Sequence, residues 1–253
     1  MHEFATRIEK HFRFSSRELR ALFITSLVAT FVLTFGKFAG YYLDIFTNYI
    51  TNFFVIGLFV IISFFIHFSA QKLMALAMGY SSKYKYWLNG LLISIIVSLF
   101  TYGYIPLFFT GSLWHEPIEK LRTGVFRGGA KHKDIGYIAF AGPLSNILLV
   151  GLLTPIYIAT ENYLIRAIII INLLTAVFSL LPLPTFEKIR QFRGGTTGLY
   201  LFIASRWVYV LVFVTFLVFA LLILFFQLFS YILALLIGII MTIIYYLKFE
   251  KEE

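Results

Sequence analysis

His67 and Gln71 are the first side chains in the sequence whose types and spacing could do chemistry. They lie in FFIHFSAQKLMALAMGY at residues 64–80, an otherwise apolar run with one lysine. A spacing of four residues places both side chains on one face of a helix. Phe68 follows the histidine, at a position where a catalytic helix would carry an acid. Taken alone, an imidazole near an amide in such a run is typical of a hydrogen bond between helices.

A second polar segment, AGPLSN at residues 141–146, interrupts another apolar run. Gly142 permits a close approach between helices, Pro143 frees a backbone carbonyl, and the Asn146 amide must find a hydrogen-bond partner within the membrane. Taken alone, this segment is also typical of a packing kink in a membrane helix.

A third segment, LLPLPTFEK at residues 180–188, ends the apolar run that contains Asn172. Pro182 and Pro184 are expected to break the helix there and to place Glu187 near the membrane surface. An ordinary helix exit with a solvated acid has the same pattern. Ionisable groups at membrane depth cost about 2.5–3.5 kcal/mol each on insertion scales, so three such segments in one chain favour a shared site.

The elements that must position these residues are membrane helices. The chain has 253 residues, of which 60% are hydrophobic and 13% charged, and it has no cysteine; its mean hydropathy is +0.88. This composition is typical of a multispan bundle and excludes disulfides and thiolate metal sites. A turn is expected near Gln227 and Ser230, because the last apolar run is long enough for two spans. The apolar runs long enough to cross a bilayer are 21–42, 51–78, 88–109, 135–160, 163–184 and 207–247.

The distribution of charge predicts the topology. If every apolar run crossed the membrane from a cytoplasmic N-terminus, the basic loops 111–134 and 185–206 would both lie outside, against the positive-inside rule. Both become cytoplasmic if the run 88–109 dips into the membrane and returns to the same side. Four residues in and after this run suit such a broken segment: Gly90, Gly103, Pro106 and Gly111.

We therefore predict an all-α, multi-pass protein of the cell membrane, with about six transmembrane helices plus one re-entrant segment. Its regions are a basic cytoplasmic N-terminal segment at 1–20, a membrane core at 21–200, and a C-terminal transmembrane hairpin with a short charged tail at 201–253. No cleavable signal is expected, because the first twenty residues are charged and precede a full-length span. The net charge of +9 is assigned to cytoplasmic loops, and nucleic-acid binding is not expected, because no basic domain stands apart from the spans.

The order of the three polar segments resembles that of the site-2 protease family of intramembrane zinc metalloproteases, particularly its short archaeal and bacterial members. In that family a helix carries H-E-x-x-H followed by a glycine, and a re-entrant region comes next. A later helix carries G-P-x-x-N, and another ends in N-x-x-P-x-x-x-x-D-G. Here HFSAQKLMALAMG, GPLSN and FSLLPLPTFEK (178–188) occupy these places. The resemblance covers about residues 55–195 and implies a site-2-protease-like core.

The same resemblance implies a metal site whose residues have partly changed. Position by position, His67 is the first zinc ligand, Phe68 replaces the general base, and Gln71 replaces the second histidine. Glu187 and Lys188 replace the Asp–Gly pair. A phenylalanine cannot accept a proton, and an amide oxygen is a far poorer zinc ligand than an imidazole. We therefore expect a pseudoprotease with no intact catalytic residue, no cofactor, and vestigial metal positions at His67, Gln71 and Glu187.

The family's fold surrounds a membrane-depth cavity that a substrate helix enters through a lateral gate, so the resemblance implies a binding role without catalysis. The expected partners are membrane lipids and a transmembrane helix of another membrane protein. Two alternatives stay open: an active zinc metalloprotease with the unusual ligands His67, Gln71 and Glu187, and a membrane transporter. No inverted repeat or pair of acids along a path supports transport. Roles in helix packing or in lining the cavity are expected for Gly142, Pro143, Asn146, Asn172, Pro182 and Pro184.

Two further motifs contain residues that could do chemistry, but each lacks a feature that the chemistry requires. WHEPIEK at 114–120 contains H-E-x-x-E, a spacing that superficially resembles a metal-binding helix. Pro117 within the motif argues against the regular helix that such a site requires. Ser112 in FTGSLW follows a glycine near the predicted re-entrant segment, but no convincing base accompanies it. Neither motif is expected to be catalytic.

Overall fold

A computed structural model describes residues 2–118, 131–188, 191–226 and 229–250. Helices make up 78% of the structure, which confirms the predicted helical class. The short helix α3 continues as a π-helical turn at Ala39–Leu43. In chain order the helices are α1 His2–His11, α2 Ser16–Thr34, α3 Gly36–Phe38, α4 Tyr49–Ala77, α5 Leu88–Phe100, α6 His132–Thr160, α7 Tyr163–Ser179, α8 Thr197–Ala204, α9 Arg206–Phe226 and α10 Phe229–Tyr245.

Within the described residues, four helices are long and apolar enough to cross a membrane: α4, α6, α9 and α10 with its continuation to Phe249. Counted as one broken span, the bent pair of α2 with the segment Gly36–Leu43 would be a fifth. These helices give the chain the architecture of a multi-pass membrane protein. Helix α7 is apolar but has only 17 residues, fewer than the run 163–184 predicts. It ends before Pro182, as expected for a residue that disfavours helix on its N-terminal side.

Two small antiparallel sheets add to the helices, whereas the sequence predicts none. Strand β1 (Tyr80–Lys85) pairs with β2 (Ser112–Pro117), and β3 (Pro184–Lys188) pairs with β4 (Gln191–Gly195). The side chains of β1 largely alternate between more and less buried positions, as expected for a strand with one face on the core. Each sheet has only two short strands, so it is stabilised by the helices on which it packs.

The first span is bent, whereas the sequence predicts one run at 21–42. Helix α2 ends at Thr34, and the segment from Gly36 continues at 75° to it. Gly36 has a φ of +74°, and a Cβ atom on it would lie 2.1 Å from the Tyr102 carbonyl oxygen. The Lys37 N–H donates to that oxygen at 3.1 Å. The bend therefore depends on a contact with a turn more than sixty residues away in the sequence.

The predicted re-entrant segment begins and ends at one sheet. Lys85 at the end of β1 pairs with Ser112 at the start of β2, so both ends of 86–111 lie side by side. Between them, α5 runs to the turn at Tyr102, whose carbonyl contacts the bend after α2, and the chain then returns without a second helix. On the return, the Phe109 N–H donates to the Ser94 hydroxyl at 2.9 Å. The segment 86–111 therefore leaves the sheet and returns to it, and its placement in a membrane stays a prediction.

The start of α2 is joined to α4 and β1 by a buried ion pair. The Lys72 ammonium lies 2.6 Å from the Glu18 carboxylate, and both side chains are almost fully buried. Glu18 also accepts hydrogen bonds from the backbone N–H groups of Ser15 and Tyr84, each at 2.8 Å. Its bond with Ser15 completes the capping box that begins α2. One carboxylate therefore connects the helix start, the neighbouring helix and the sheet.

Cysteine labelling tests the re-entrant path, because the chain has no native cysteine. We expect Lys83→Cys, Glu116→Cys and Lys131→Cys to react with an impermeant maleimide only after intact cells are permeabilised. Lys83 and Glu116 have side chains 60% and 53% exposed, so accessibility within the protein does not limit the reaction. Glu161→Cys, at the opposite end of α6, is the control that should react on intact cells. Reaction of Lys131→Cys from outside would contradict the arrangement.

Candidate functional site

His67 and Gln71 meet helix α6 at a glycine. Both side chains are buried, with 1% and 2% of their surface exposed, and both lie against Gly142. A Cβ atom on Gly142 would lie 2.5 Å from His67 Nε2 and 2.7 Å from Gln71 Nε2. The predicted close approach between two helices therefore occurs, and the glycine makes it possible because any larger residue would overlap the imidazole and the amide.

Pro143 supplies the acceptor for the glutamine. A proline at this position has no N–H to donate to the carbonyl four residues earlier, which is that of Ala139. Gln71 Nε2 donates to this Ala139 oxygen at 3.1 Å and lies 3.4 Å from the Thr197 hydroxyl of α8. The carbonyl that the proline frees is thus satisfied by the Gln71 amide. Gln71 connects α4, α6 and α8.

Asn146 and Asn172 are joined through a hydroxyl on α4 that sequence analysis missed. The Asn146 amide nitrogen lies 3.4 Å from Ser63 Oγ. Ser63 Oγ lies in turn 3.0 Å from Asn172 Oδ1 and 3.3 Å from Thr175 Oγ1. Ser63 stands four residues before His67, so the spacing that identifies His67 and Gln71 would also have identified it. The three residues form a polar stripe along α4, facing α6 and α7.

Phe68 lies in an aromatic cluster on another side of α4. Its side chain is fully buried, and its ring centroid lies 4.3 Å from that of Tyr84 and 6.3 Å from that of Phe64. The His67 ring lies 5.0 Å away. An ionised carboxylate in place of Phe68 would enter this apolar packing, so the cluster is built for a hydrophobic residue and not for a base.

The third predicted segment, residues 180–188, is connected to the first two by a backbone hydrogen bond. Pro184 begins strand β3, and both Pro182 and Pro184 are exposed, unlike the buried Gly142 and Asn146. At the base of the β3–β4 hairpin, Thr196 N–H donates to the Leu183 carbonyl at 2.9 Å. The next residue, Thr197, is the one that contacts Gln71. The side chain of Glu187 lies outside the described part of the structure, so its predicted position facing His67 stays a prediction.

The polar side chains of the described residues around His67 do not supply the ligands of a zinc site. Both ring nitrogens of His67 are buried without a hydrogen-bond partner among the described residues, so this imidazole could bind a metal. The Gln71 amide is already bonded to α6 and α8, and an amide is a weak zinc ligand. Within the described part of the chain, no three side chains of the His, Cys, Asp or Glu types form a group that could hold a metal. One imidazole and one amide are fewer donors than a protein zinc site uses.

The first part of the H-E-x-x-E motif lies on a strand. His115 and Glu116 belong to β2, where their side chains point to opposite faces, so this part of WHEPIEK is not helical. Residues 119 and 120 lie outside the described part of the structure. His115 Nδ1 lies 2.8 Å from the Ser82 hydroxyl, and burial lowers the pKa of His115 to about 4. This histidine is therefore neutral at pH 7. Glu116 pairs with Lys83 on the exposed face, at 3.2 Å.

Taken together, the structure joins the first two predicted segments by direct contact and the third through the hairpin base. His67, Gln71, Gly142 and Pro143 form one contact region between α4 and α6. Asn146 and Asn172 continue it by hydrogen bonds through Ser63. Comparisons of the chain with protein-family models, with curated proteins and with solved structures give no match.

Proposed function

We propose that this chain is a site-2-protease-like membrane protein without catalytic activity, which binds or holds transmembrane segments of other proteins. The observation that carries the proposal is the meeting of the HFSAQ and GPLSN segments at the contact of His67 and Gln71 with Gly142. These segments are 70 residues apart in the sequence, and their order resembles the family's motifs. A contact between them is what a site derived from that family requires.

The proposed lack of catalysis is based on the residues at two positions, those of the general base and of the second metal ligand. Phe68, at the position of the base, is packed against Tyr84 and Phe64 and has no group that accepts a proton. Gln71, at the position of the second ligand, uses its amide to satisfy the Ala139 carbonyl. Both positions therefore have structural roles that stabilise the helix contact, and these roles are not compatible with the family's chemistry.

A binding role is supported by the way the re-entrant segment packs. Helix α5 packs mainly against α2 among the helices, and much of its other surface is apolar and exposed. On the return path, Phe108 lies between α4 and α7, with its ring centroid 5.9 Å from that of Phe64 and 5.2 Å from that of Phe178. A guest helix that approached beside α5 would meet this segment first.

The active metalloprotease remains the second candidate, because one observation favours it. The two buried ring nitrogens of His67 have no partner among the described residues, and buried polar groups normally find one. A metal held by His67 and Glu187 would satisfy such a nitrogen. The transporter alternative has no comparable observation in its favour.

Zinc content and cleavage of a model transmembrane substrate separate the two candidates. We expect purified protein to contain no stoichiometric zinc and to leave the substrate intact. His115→Ala, a change at a histidine outside the site, is the control for zinc bound elsewhere. Near-equimolar zinc that is lost in His67→Ala but kept in His115→Ala, together with cleavage, would favour the active protease and contradict the proposal.

A set of restoring substitutions tests whether these positions descend from a metal site. Phe68→Glu alone is expected to give no activity, because it adds a buried charge without a second imidazole. Gln71→His is expected to gain zinc affinity, because two imidazoles and Glu187 would then supply three ligands. Only the combination of both with Glu187→Asp and Lys188→Gly is expected to cleave. A folded Gln71→His variant with no gain in zinc affinity would contradict the inferred descent.

Photo-crosslinking tests the binding role itself. Benzoylphenylalanine at Leu92 of α5 is compared with the same residue at Ile240 of α10. Both positions are apolar and about equally exposed, at 50% and 54%, so exposure alone would give equal yields. We expect a tritium-labelled transmembrane peptide in liposomes to crosslink at Leu92 and not at Ile240. Equal yields at the two positions would mean that the peptide only shares the bilayer with the protein.

A further inference from the structure

The C-terminal helical hairpin carries a groove at one of its ends. It lies between the start of α9 and the end of α10 and has a volume of about 340 Å³, which is within the range of small-molecule sites. Its exposed wall is apolar. Five residues line it: Trp207, Thr242, Ile243, Tyr246 and Leu247. We refer to it as the hairpin groove.

Two cations flank the hairpin groove in the sequence. Arg206 directly precedes Trp207 at the start of α9, and Lys248 directly follows Leu247 after the end of α10. Both are exposed, and neither has an ion pair with a carboxylate among the described residues. Lys248 lies over the ring of Phe249, 5.6 Å from its centroid. An apolar groove with free positive charge at its end is complementary to a molecule with an apolar chain and an anionic head.

The aromatic residues place this end of the hairpin at the boundary between hydrocarbon and water. Trp207 and Tyr246 are 48% and 51% exposed, and they occupy the same end of two adjacent membrane helices. Tryptophan and tyrosine are enriched at the level of lipid headgroups. On the topology predicted by charge, this end faces the cytoplasm, where the leaflet carries anionic lipid.

We propose that the hairpin groove binds an anionic glycerophospholipid. One acyl chain lies along the apolar wall between α9 and α10, and the headgroup phosphate contacts Arg206 and Lys248. The site is separate from the contact of α4 with α6, so it does not depend on whether the protein binds a guest helix. The acidic residues Glu250, Glu252 and Glu253 of the tail oppose an anionic lipid, so they are retained in every variant that tests the proposal.

Quenching of Trp207 by brominated lipid measures occupancy of the groove directly. The chain has three tryptophans, so the test uses a Trp87→Phe, Trp114→Phe background, in vesicles with a small fraction of dibrominated phosphatidylglycerol or dibrominated phosphatidylcholine. We expect the phosphatidylglycerol to quench at a lower mole fraction. Each loss of a cation, in Arg206→Gln or Lys248→Gln, should weaken this preference by about fivefold.

Two controls make the test specific. Arg166→Gln removes a cation that lies over Tyr42, 5.9 Å from its ring centroid and away from the hairpin groove, and it should leave the preference unchanged. Arg206→Lys with Lys248→Arg keeps both charges and should retain the preference, which separates charge loss from misfolding. Equal quenching by both lipids would overturn the proposal. A preference for phosphatidylglycerol that persists without both cations would overturn the assignment of the phosphate to Arg206 and Lys248.

Discussion

Replacing Lys72 by methionine is expected to lower the free energy of unfolding by about 3–5 kcal/mol, because it leaves the buried Glu18 carboxylate without its counter-charge. The Lys72 ammonium lies 2.6 Å from Glu18, donates to the Arg13 carbonyl at 2.9 Å and lies 4.1 Å from the centre of the Phe14 ring. Methionine has a similar length and no charge, so the change removes these interactions with little change in volume. Unfolding by SDS titration in detergent micelles measures the effect.

The chain provides its own control for this experiment. Lys83 and Glu116 form an ion pair of 3.2 Å whose side chains are more than half exposed, and Lys83→Met should cost only about 0–1 kcal/mol. The double variant Glu18→Gln, Lys72→Met should be less destabilised than the sum of its single variants, because no buried charge remains. A Lys72→Met protein as stable as Lys83→Met would show that the Glu18 carboxylate is not buried and paired in this way.

Gly142→Ala is expected to lower the free energy of unfolding by about 1–3 kcal/mol, as overpacking of a close helix contact does. The added methyl group would lie 2.5 Å from His67 Nε2 and 2.7 Å from Gln71 Nε2. Alanine favours a helix over glycine by about 0.8–1 kcal/mol, so destabilisation would show that the contact outweighs the propensity. The thermal midpoint in detergent provides the measurement.

Gly40→Ala is the matched control for this change. Outside its own helical turn, no atom of the described residues lies within 4 Å of a Cβ on Gly40, so its midpoint should equal or slightly exceed that of the unmodified protein, because alanine is the better helix former. The double variant Gly142→Ala, His67→Ala should recover part of the lost stability, because it removes the nearest atoms. A Gly142→Ala protein that is more stable than the unmodified one would contradict the close contact of α4 with α6.

The sequence predicts the groups that meet at this contact, but only in part how they are joined. Gly142 predicts a close helix approach because it has no side chain, and Pro143 predicts a freed carbonyl because it has no N–H. Both predictions depend only on the residue type. That Gln71 satisfies the Ala139 carbonyl depends on how α4 lies against α6, which local sequence does not determine. Ser63 was missed because a serine in a membrane helix usually bonds to its own backbone, although its spacing from His67 was informative.

The bend after α2 and the β1–β2 sheet differ from expectation for a different physical reason. Hydropathy measures how long an apolar run is, and the run 21–42 is long enough for a straight span. The bend arises where Gly36 meets the Tyr102 carbonyl, and the sheet arises where Lys85 meets Ser112. Both are contacts between residues far apart in the chain. A hydropathy profile averages over a short stretch of sequence, so it never includes both residues of either contact.

The position of Ser63 means that two acceptors on α7 compete for the one hydroxyl hydrogen of a serine on α4. A serine hydroxyl has a single hydrogen, whereas Asn172 Oδ1 and Thr175 Oγ1 both lie within bonding distance of it. Ser63 can therefore donate to only one of them at a time, while it accepts from Asn146. Because interhelical hydrogen bonds in membranes average about 0.6 kcal/mol, exchange between these two arrangements is inexpensive. The hydroxyl of Ser63 thus has two alternative acceptors on α7, Asn172 and Thr175, and it can change between them without a change in helix register.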